Sequence, residues 1–168
     1  MKLDWAAQAI PGKCMFNLEL GTNVANVVML LKKYEVSDGI IKIDNSDSIR
    51  VDILLNEDVI RLRKMEDEKY DWQSDVALLY FKNDKLKSIV TYLNEPHGYR
   101  GLICGKIGLG DEIRELEEYF SIEYDNVNEH FSAIDDNGVS GLELYGASCD
   151  LSVDPTQKIS AMKVFLVE

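Results

Sequence analysis

The sequence FSAIDDNGVSGLELY, residues 131–145, carries the clearest fold signal in the chain. Its two arms are rich in apolar residues, and between them lies the polar turn DDNG at 135–138. An Asn-Gly pair accepts the positive φ angles that a type I′ turn requires. The stretch therefore predicts a β-hairpin from Phe131 to Tyr145.

Segments on both sides of this hairpin also predict antiparallel strands. IRVDILL at 49–55 alternates apolar and charged residues before its end. The apolar arms 76–81 and 86–93 are joined by the polar turn KNDK at 82–85, which is a second hairpin signal. A closing strand is expected within residues 159–167.

A weak internal repeat adds helices to these strands. LGTNVANV at 20–27 is similar to LGDEIREL at 109–116, and each copy predicts a strand, a glycine turn and a helix. Thr22 and Asp111 are the expected N-caps, since their side chains can accept hydrogen bonds from the first free helix amides. The sequence thus predicts an α+β fold: a single domain over residues 1–168 with a mainly antiparallel sheet, a few packed helices and two weakly repeated strand-turn-helix units.

Composition points to a cytoplasmic protein. The chain of 168 residues can bury about two thirds of its unfolded surface, so it does not need disulfides for stability. Its three cysteines, Cys14, Cys104 and Cys149, are odd in number and widely spaced, unlike the cysteines of a disulfide framework. The N-terminal MKLDW places an acidic residue where a secretory signal has its apolar core. No apolar run approaches the roughly 20 residues that span a bilayer. The net charge of −12 disfavours anionic lipid and nucleic acid as partners.

Negative charge is concentrated in residues 111–136. This window holds ten carboxylates against the single Arg114, so it carries nine of the twelve net negative charges. A concentrated negative field accelerates encounter with a positively charged partner. The carboxylates are Asp111, Glu112, Glu115, Glu117, Glu118, Glu123, Asp125, Glu129, Asp135 and Asp136.

Two interpretations of this window are open. A helix from Asp111 to Phe120 would bury its apolar residues and leave Glu112, Glu115 and Glu118 facing water, which can be a solvated surface and nothing more. The first copy of the repeat has Asn23 and Asn26 in place of acids. Because that copy predicts a similar helix without the charge, the comparison favours a partner-binding role for the acids.

Aromatic residues mark a second candidate contact region, EDEKYDWQ at 66–73. Tyr70 and Trp72 are residue types that anchor protein interfaces, and they are equally suited to folding back over the core. The loop NEPHGYR at 94–100 offers Tyr99 and Arg100 for a similar role.

Catalytic and metal-binding motifs are not supported. GKIGLG at 105–110 fits neither the P-loop nor the dinucleotide fingerprint, and acids follow where an anion would bind. Read as a calcium loop, DDNG would place Ala133 and Leu144 at ligand positions. His97 and His130 have no metal-ligand spacing to a cysteine. No catalytic residue, metal or cofactor is therefore predicted, and acids this abundant single out no glycosidase pair.

Several short strings give the chain a family resemblance. They are LGxxV and LGxxI at 20–24 and 109–113, ALLYFKNDKL at 77–86, GLGD at 108–111, SIEYD at 121–125 and GLEL at 141–144. On these strings the chain resembles the α+β immunity proteins of bacterial contact-dependent growth inhibition systems and related polymorphic toxin systems.

This resemblance implies a cytoplasmic protein that binds and blocks one cognate toxin domain, often a nuclease, without catalysing a reaction. A nuclease presents basic residues to phosphate, so an acidic protein can occupy the same surface. Some members of the family accept a toxin β-hairpin at a sheet edge or in a pocket. The expected partner-binding residues are Glu112, Glu115, Glu118, Glu123 and Asp125, with Tyr70 and Trp72 as anchors.

Two alternatives belong to other functional classes. A small-molecule enzyme would bring carboxylates together around His97 or His130 in a concave pocket. A scaffold or subunit protein would instead bury a large apolar patch against its partner.

Overall fold

The computed structural model describes residues 2–43, 48–54, 58–65, 74–94 and 98–167, and most of the described elements are β-strands. Strands β1 (Cys14–Met15) and β2 (Leu18–Glu19) form a small sheet. The main sheet has ten strands: β3 (Glu35–Ser37), β4 (Ile40–Ile41), β5 (Ile49–Leu54), β6 (Val59–Lys64), β7 (Asp75–Lys82), β8 (Lys85–Tyr92), β9 (Ser121–Asp125), β10 (His130–Asp135), β11 (Gly138–Tyr145) and β12 (Ala161–Phe165).

The main sheet is antiparallel throughout, and one strand in it is out of sequence order. Its order is β3-β4-β5-β6-β7-β8-β12-β11-β10-β9. Strand β12 lies between β8 and β11, so that Lys163 is opposite Val90 on one side and Glu143 on the other. Strands β3 and β9 form the two edges of the sheet.

Both predicted hairpins are confirmed, although one turn type is wrong. In the β10–β11 hairpin Asp135 pairs with Gly138, and Gly138 alone takes a positive φ of 107°. Asp136 and Asn137 keep negative φ, which excludes a type I′ turn there. The type I′ geometry occurs instead in the β7–β8 hairpin, at Asn83 (φ 51°) and Asp84 (φ 59°).

The α+β prediction is wrong, because the described residues contain little helix. One α-helix, α1, runs from Val24 to Lys32, and a six-residue 3₁₀ helix runs from Ile113 to Glu118. The predicted N-caps are wrong as well. Asn23, not Thr22, caps α1 by accepting a hydrogen bond from the backbone of Ala25 at 3.0 Å. The 3₁₀ helix begins without a side-chain cap.

The two copies of the internal repeat share a turn rather than a strand-turn-helix unit. Gly21 and Gly110 both have left-handed backbones, with φ of 83° and 90°. Gly21 donates its N–H to the carbonyl of Leu86 on β8, and Gly110 donates its N–H to the carbonyl of Ile159, just before β12. After the turn the copies diverge into an α-helix and a 3₁₀ helix, so the repeat predicted the turn and not the element that follows it.

The core lies on one face of the main sheet, where the N-terminal segment, α1 and residues 99–120 cover it. Phe16 is packed edge-on between Trp5 and Tyr99, with ring centroids 4.8 Å apart in both pairs. Tyr99 is buried and donates its hydroxyl to the carbonyl of Ala7, so its predicted role in an exposed loop is wrong. Fully buried members from the sheet include Ile49, Ile60, Leu79, Ile89, Phe131, Leu144 and Met162.

The opposite face of the main sheet, called here the outer face, carries a different set of side chains. Val59, Leu78 and Val90 form a small apolar cluster there, against which Tyr92 packs. Charged residues alternate with core residues along the same strands, as with Glu143 between Leu142 and Leu144. None of the described helices has the length and apolar character needed to cross a membrane.

Candidate functional site

The 3₁₀ helix sorts the predicted acidic residues into rows. A 3₁₀ helix has three residues per turn, so side chains three positions apart lie in line. Ile113 and Leu116 form the buried row, as predicted. Glu115 and Glu118 are exposed in a second row, and Glu112 begins it as a half-buried residue at the cap position. The third row holds Arg114 and Glu117, both exposed.

Backbone contacts tie the start of this 3₁₀ helix to the segment before β12. Ile113 donates its N–H to the carbonyl of Gln157, and Glu112 pairs with Lys158 in an isolated antiparallel β-bridge. Inside the helix Glu115 donates to Glu112, and Tyr119 donates to Leu116 as the chain leaves it. Asp111 does not cap the helix; its carboxylate accepts the N–H of Gly108 at 2.8 Å. With its start tied to residues 157–159, the segment closes i to i+3 bonds.

The acidic row adjoins the β9 edge of the main sheet. The chain passes from the 3₁₀ helix through Tyr119 and Phe120 directly into β9. Glu123 lies at the centre of β9, opposite Ser132, and its side chain is exposed. An edge strand presents unpaired backbone N–H and C=O groups along its outer side. We define the acidic edge as Glu112, Glu115, Glu118 and Glu123 together with the backbone edge of β9 that does not pair with β10.

Asp125, the fifth predicted acid, shapes a turn. One of its oxygens accepts the backbone N–H groups of Val127 at 2.8 Å and Asn128 at 3.1 Å, and the other accepts the Asn128 amide at 2.7 Å. These hydrogen bonds, with the Asn128 side chain first, lower the pKa of Asp125 below its usual value. The carboxylate adds charge to the surface, but its oxygens are taken up by the β9–β10 turn.

Within the described ranges, Lys158 pairs with Glu112 at the start of the acidic row, and Lys106 lies near Tyr119 at its end. The Lys106 ammonium is 5.5 Å from the centre of the Tyr119 ring. Its pKa is raised by the hydrogen bond and negative potential of Tyr119 and then by the charge of Glu118. The field of Glu118 is therefore partly compensated, whereas no such partner is seen for Glu115 in the part of the chain that the structure describes. Tyr70 and Trp72 lie outside the described residues, and their role stays a prediction from sequence.

An ionic cluster that the sequence analysis missed lies on the outer face. Glu143 accepts a hydrogen bond from the Lys163 ammonium at 2.8 Å and one from the Tyr145 hydroxyl at 3.2 Å. Burial, followed by the charge and hydrogen bond of Glu143, raises the pKa of Tyr145 far above its usual value. The alternation of charged with apolar residues in β11 and β12 was the available signal, but it did not show which strands are neighbours.

His130 lies beside this cluster in a geometry that does not make a nucleophilic relay. Its Nε2 atom is 3.4 Å from the Ser132 hydroxyl and 3.9 Å from Glu143. A serine relay needs the hydroxyl and the carboxylate on opposite ring nitrogens, so that one holds the imidazole while the other gives up its proton. Here both groups approach the same nitrogen. His97 lies outside the described residues.

The described ranges contain no cluster of side chains that could bind a metal ion. No three side chains of His, Cys, Asp or Glu converge there as a metal would require. Cys14, Cys104 and Cys149 are free thiols, and burial is the main cause that raises the pKa of Cys14 and Cys104.

Comparison with known proteins adds a distant structural likeness. No protein-family model matches the chain, and no curated protein matches it either. Among solved structures, the chain is similar to a cysteine-rich secretory protein from Staphylococcus aureus subsp. aureus Mu50, with 8% sequence identity and a TM-score of 0.38. The likeness covers 96% of this chain and 50% of that one, so the chain spans about half its length.

Proposed function

We propose that this protein is a toxin-neutralising immunity protein that acts in the cytoplasm and binds a basic toxin domain, such as a nuclease, through its acidic edge. The observation that carries the proposal is the arrangement of the exposed glutamates in one row beside an edge strand. Glu115 and Glu118 are exposed in one row of the helix, and Glu123 is exposed on β9, the edge strand into which that helix leads.

Electrostatics supports a basic partner for this surface. The acidic edge belongs to the window that holds nine of the twelve net negative charges. Opposite fields accelerate association, and contact residues then fix specificity. A nuclease carries Lys and Arg to grip phosphate, so its active surface is complementary to the acidic edge.

The first experiment is co-expression with the polypeptide encoded by the gene immediately upstream. We expect that polypeptide to arrest growth when expressed alone, and growth to recover when this protein is present. We also expect the two chains to purify together. Absence of both a complex and protection would refute the proposal.

The acidic row itself is tested by charge reversal. Glu115→Lys combined with Glu118→Lys should slow association at low salt by about tenfold or more, because the steering field is lost, and should flatten the dependence of the association rate on salt. Stopped-flow kinetics at two or more salt concentrations gives both quantities. An unchanged association rate at low salt would assign these acids to solvation alone.

Two control variants separate contact from overall charge. Glu117→Lys changes the same helix in its third row, and Asp38→Lys changes an exposed residue near the opposite edge of the sheet; each adds two charge units, against four in the double variant. Glu117→Lys should share part of the loss in association rate, since it alters the nearby field. Only the Glu115 and Glu118 variant should also raise the dissociation rate. Equal dissociation rates for all three would place the contact surface elsewhere.

A further inference from the structure

A groove with a volume of about 900 Å³ crosses the outer face of the main sheet. Residues from β6, β7, β8, β12 and β11 line it, and these five strands are consecutive neighbours in the sheet. At about 4.8 Å between strands, the groove crosses roughly 19 Å of sheet. Its volume lies within the range of small-molecule sites, roughly 300–1,000 Å³.

The centre of the groove is a slot between two tyrosines. Ala161 on β12 is opposite Tyr92 on β8 and also opposite Tyr145 on β11, so the three residues form one row across the sheet. Side chains stand roughly perpendicular to a sheet, and the two tyrosines flank the alanine at about 9–10 Å from each other at their backbones. Ala161 contributes only a methyl group to the middle of this row, the smallest side chain of the three.

Burial and electrostatics show that the tyrosines share one environment. Tyr145 is half-buried, and the proximity of Tyr92 and Tyr80 contributes, after burial and Glu143, to the rise in its pKa. Tyr80, on β7, also lines the groove. Offset or edge-to-face contact with such rings favours a flat aromatic guest over a flexible one.

The charges around the slot favour an anion, in contrast to the protein as a whole. Lys163 lies one row from Ala161 on the same face of β12, and Lys64 also lines the groove. The nearby carboxylates are already paired, Asp75 with Arg61 at 3.5 Å and Glu143 with Lys163. Among the described residues on this face, Arg61, Lys64 and Lys163 therefore stand against Asp75 and Glu143. An ammonium has three donors, so Lys163 can keep its bond to Glu143 and still donate to a ligand.

We propose that this groove binds a small, flat aromatic molecule with one anionic group. The ring lies over Ala161 between Tyr92 and Tyr145, and the anionic group is directed towards Lys163. The site is separate from the acidic edge and does not depend on the partner proposed for that edge.

The test uses three probes on the isolated wild-type protein: 2-naphthalenesulfonate, 2-naphthylmethylammonium and cyclohexylmethanesulfonate. The first is flat and anionic, the second is flat and cationic, and the third is anionic but not flat. We expect saturable binding of 2-naphthalenesulfonate, with amide chemical-shift changes in NMR spectra centred on Tyr92, Tyr145, Ala161 and Lys163. Each of the other two probes should bind at least about tenfold more weakly.

Two variants locate the binding. Ala161→Leu fills the slot and should weaken 2-naphthalenesulfonate at least about twentyfold, whereas Ala6→Leu, on an exposed residue outside the groove, should leave it unchanged. Lys163→Gln should weaken the anionic probe and not the cationic one. Shift changes centred away from the groove, or equal or tighter binding of the cationic probe, would overturn the proposal even if Ala161→Leu failed to fold.

Discussion

At the scale of single residues, Asp125 links the acidic sequence to stability. Its carboxylate holds the β9–β10 turn through three hydrogen bonds. Asp125→Ala should lower the melting temperature at pH 7. The pKa of Asp125 is lowered from 3.8 in the folded protein, so its stabilising effect is complete above about 3.8 and is lost as pH falls through the folded value. The difference in melting temperature between variant and wild type should therefore shrink below pH 3.8.

A neighbouring aspartate provides the control for this pH dependence. Asp136 is exposed in the β10–β11 turn, and no hydrogen bond to its side chain is seen among the described residues. Asp136→Ala removes the same charge and should change the melting temperature much less at pH 7. Equal effects of the two substitutions would mean that net charge, rather than the turn, is what Asp125 controls.

At the scale of elements, Gly141 fixes how β11 passes the N-terminal segment. Its φ is 82°, and an added Cβ would lie 2.5 Å from both the Gly12 Cα atom and the Phe165 carbonyl oxygen. Both contacts are backbone atoms that cannot turn aside. Gly141→Ala should lower the free energy of unfolding by about 2–5 kcal/mol, from left-handed strain together with overpacking. Urea denaturation measures this value.

Gly21 supplies a matched comparison for that substitution. Its φ is 83°, nearly the same as that of Gly141, but an added Cβ would meet nothing within 4 Å. Gly21→Ala should cost only the left-handed strain, about 1–2 kcal/mol. If Gly141→Ala costs no more than Gly21→Ala, the close approach to Gly12 is relieved by movement of the N-terminal segment.

Local sequence predicted the elements whose cause is local. The hairpins at 75–92 and 130–145 follow from alternation and turn residues, and both were predicted. The left-handed turn at Phe16 and Asn17 was not, because phenylalanine rarely adopts φ near 59°. Its ring is held between Trp5 and Tyr99, and the contact with Tyr99 spans 83 positions, about half of the chain. The sequence predicted an α-helix where the structure has the 3₁₀ helix. The backbone contacts of this segment with Gln157 and Lys158 are equally non-local, so local sequence does not show them.

The candidate sites show the same division. The exposure of Glu115 and Glu118 could be predicted from the spacing of Ile113 and Leu116. A helix with three residues per turn and one with 3.6 both place the two apolar residues on one side and the two glutamates on another. The tyrosine slot could not be predicted. Tyr92 and Tyr145 are 53 positions apart in sequence, and only the placement of β12 between their strands brings them into one row.

At the scale of the whole molecule, a net charge of −12 makes stability depend on salt. The Debye length falls from about 30 Å at 10 mM salt to about 8 Å at 150 mM. Screening of self-repulsion over this range should stabilise the fold by roughly 1 kcal/mol and raise the melting temperature by about 2–4 °C. Differential scanning calorimetry in NaCl provides the measurement.

Charge reversal gives the internal check on that salt effect. Glu117→Lys combined with Asp38→Lys changes two exposed acids to lysine and brings the net charge from −12 to −8. The rise in melting temperature with salt should be smaller in this variant. A melting temperature that falls with added NaCl in the wild type would show that favourable ion pairs outweigh the repulsion.

The position of β12 has a consequence for biosynthesis. Strands β3–β8 and strands β9–β11 have no ladder to each other in the described sheet except through residues 161–165, which are made after all of them. During translation the two groups of strands must therefore wait, each with an open edge, until this segment leaves the ribosome. The protein thus closes its main sheet in a late step, and a chaperone that shields strand edges would act on the nascent chain in that interval.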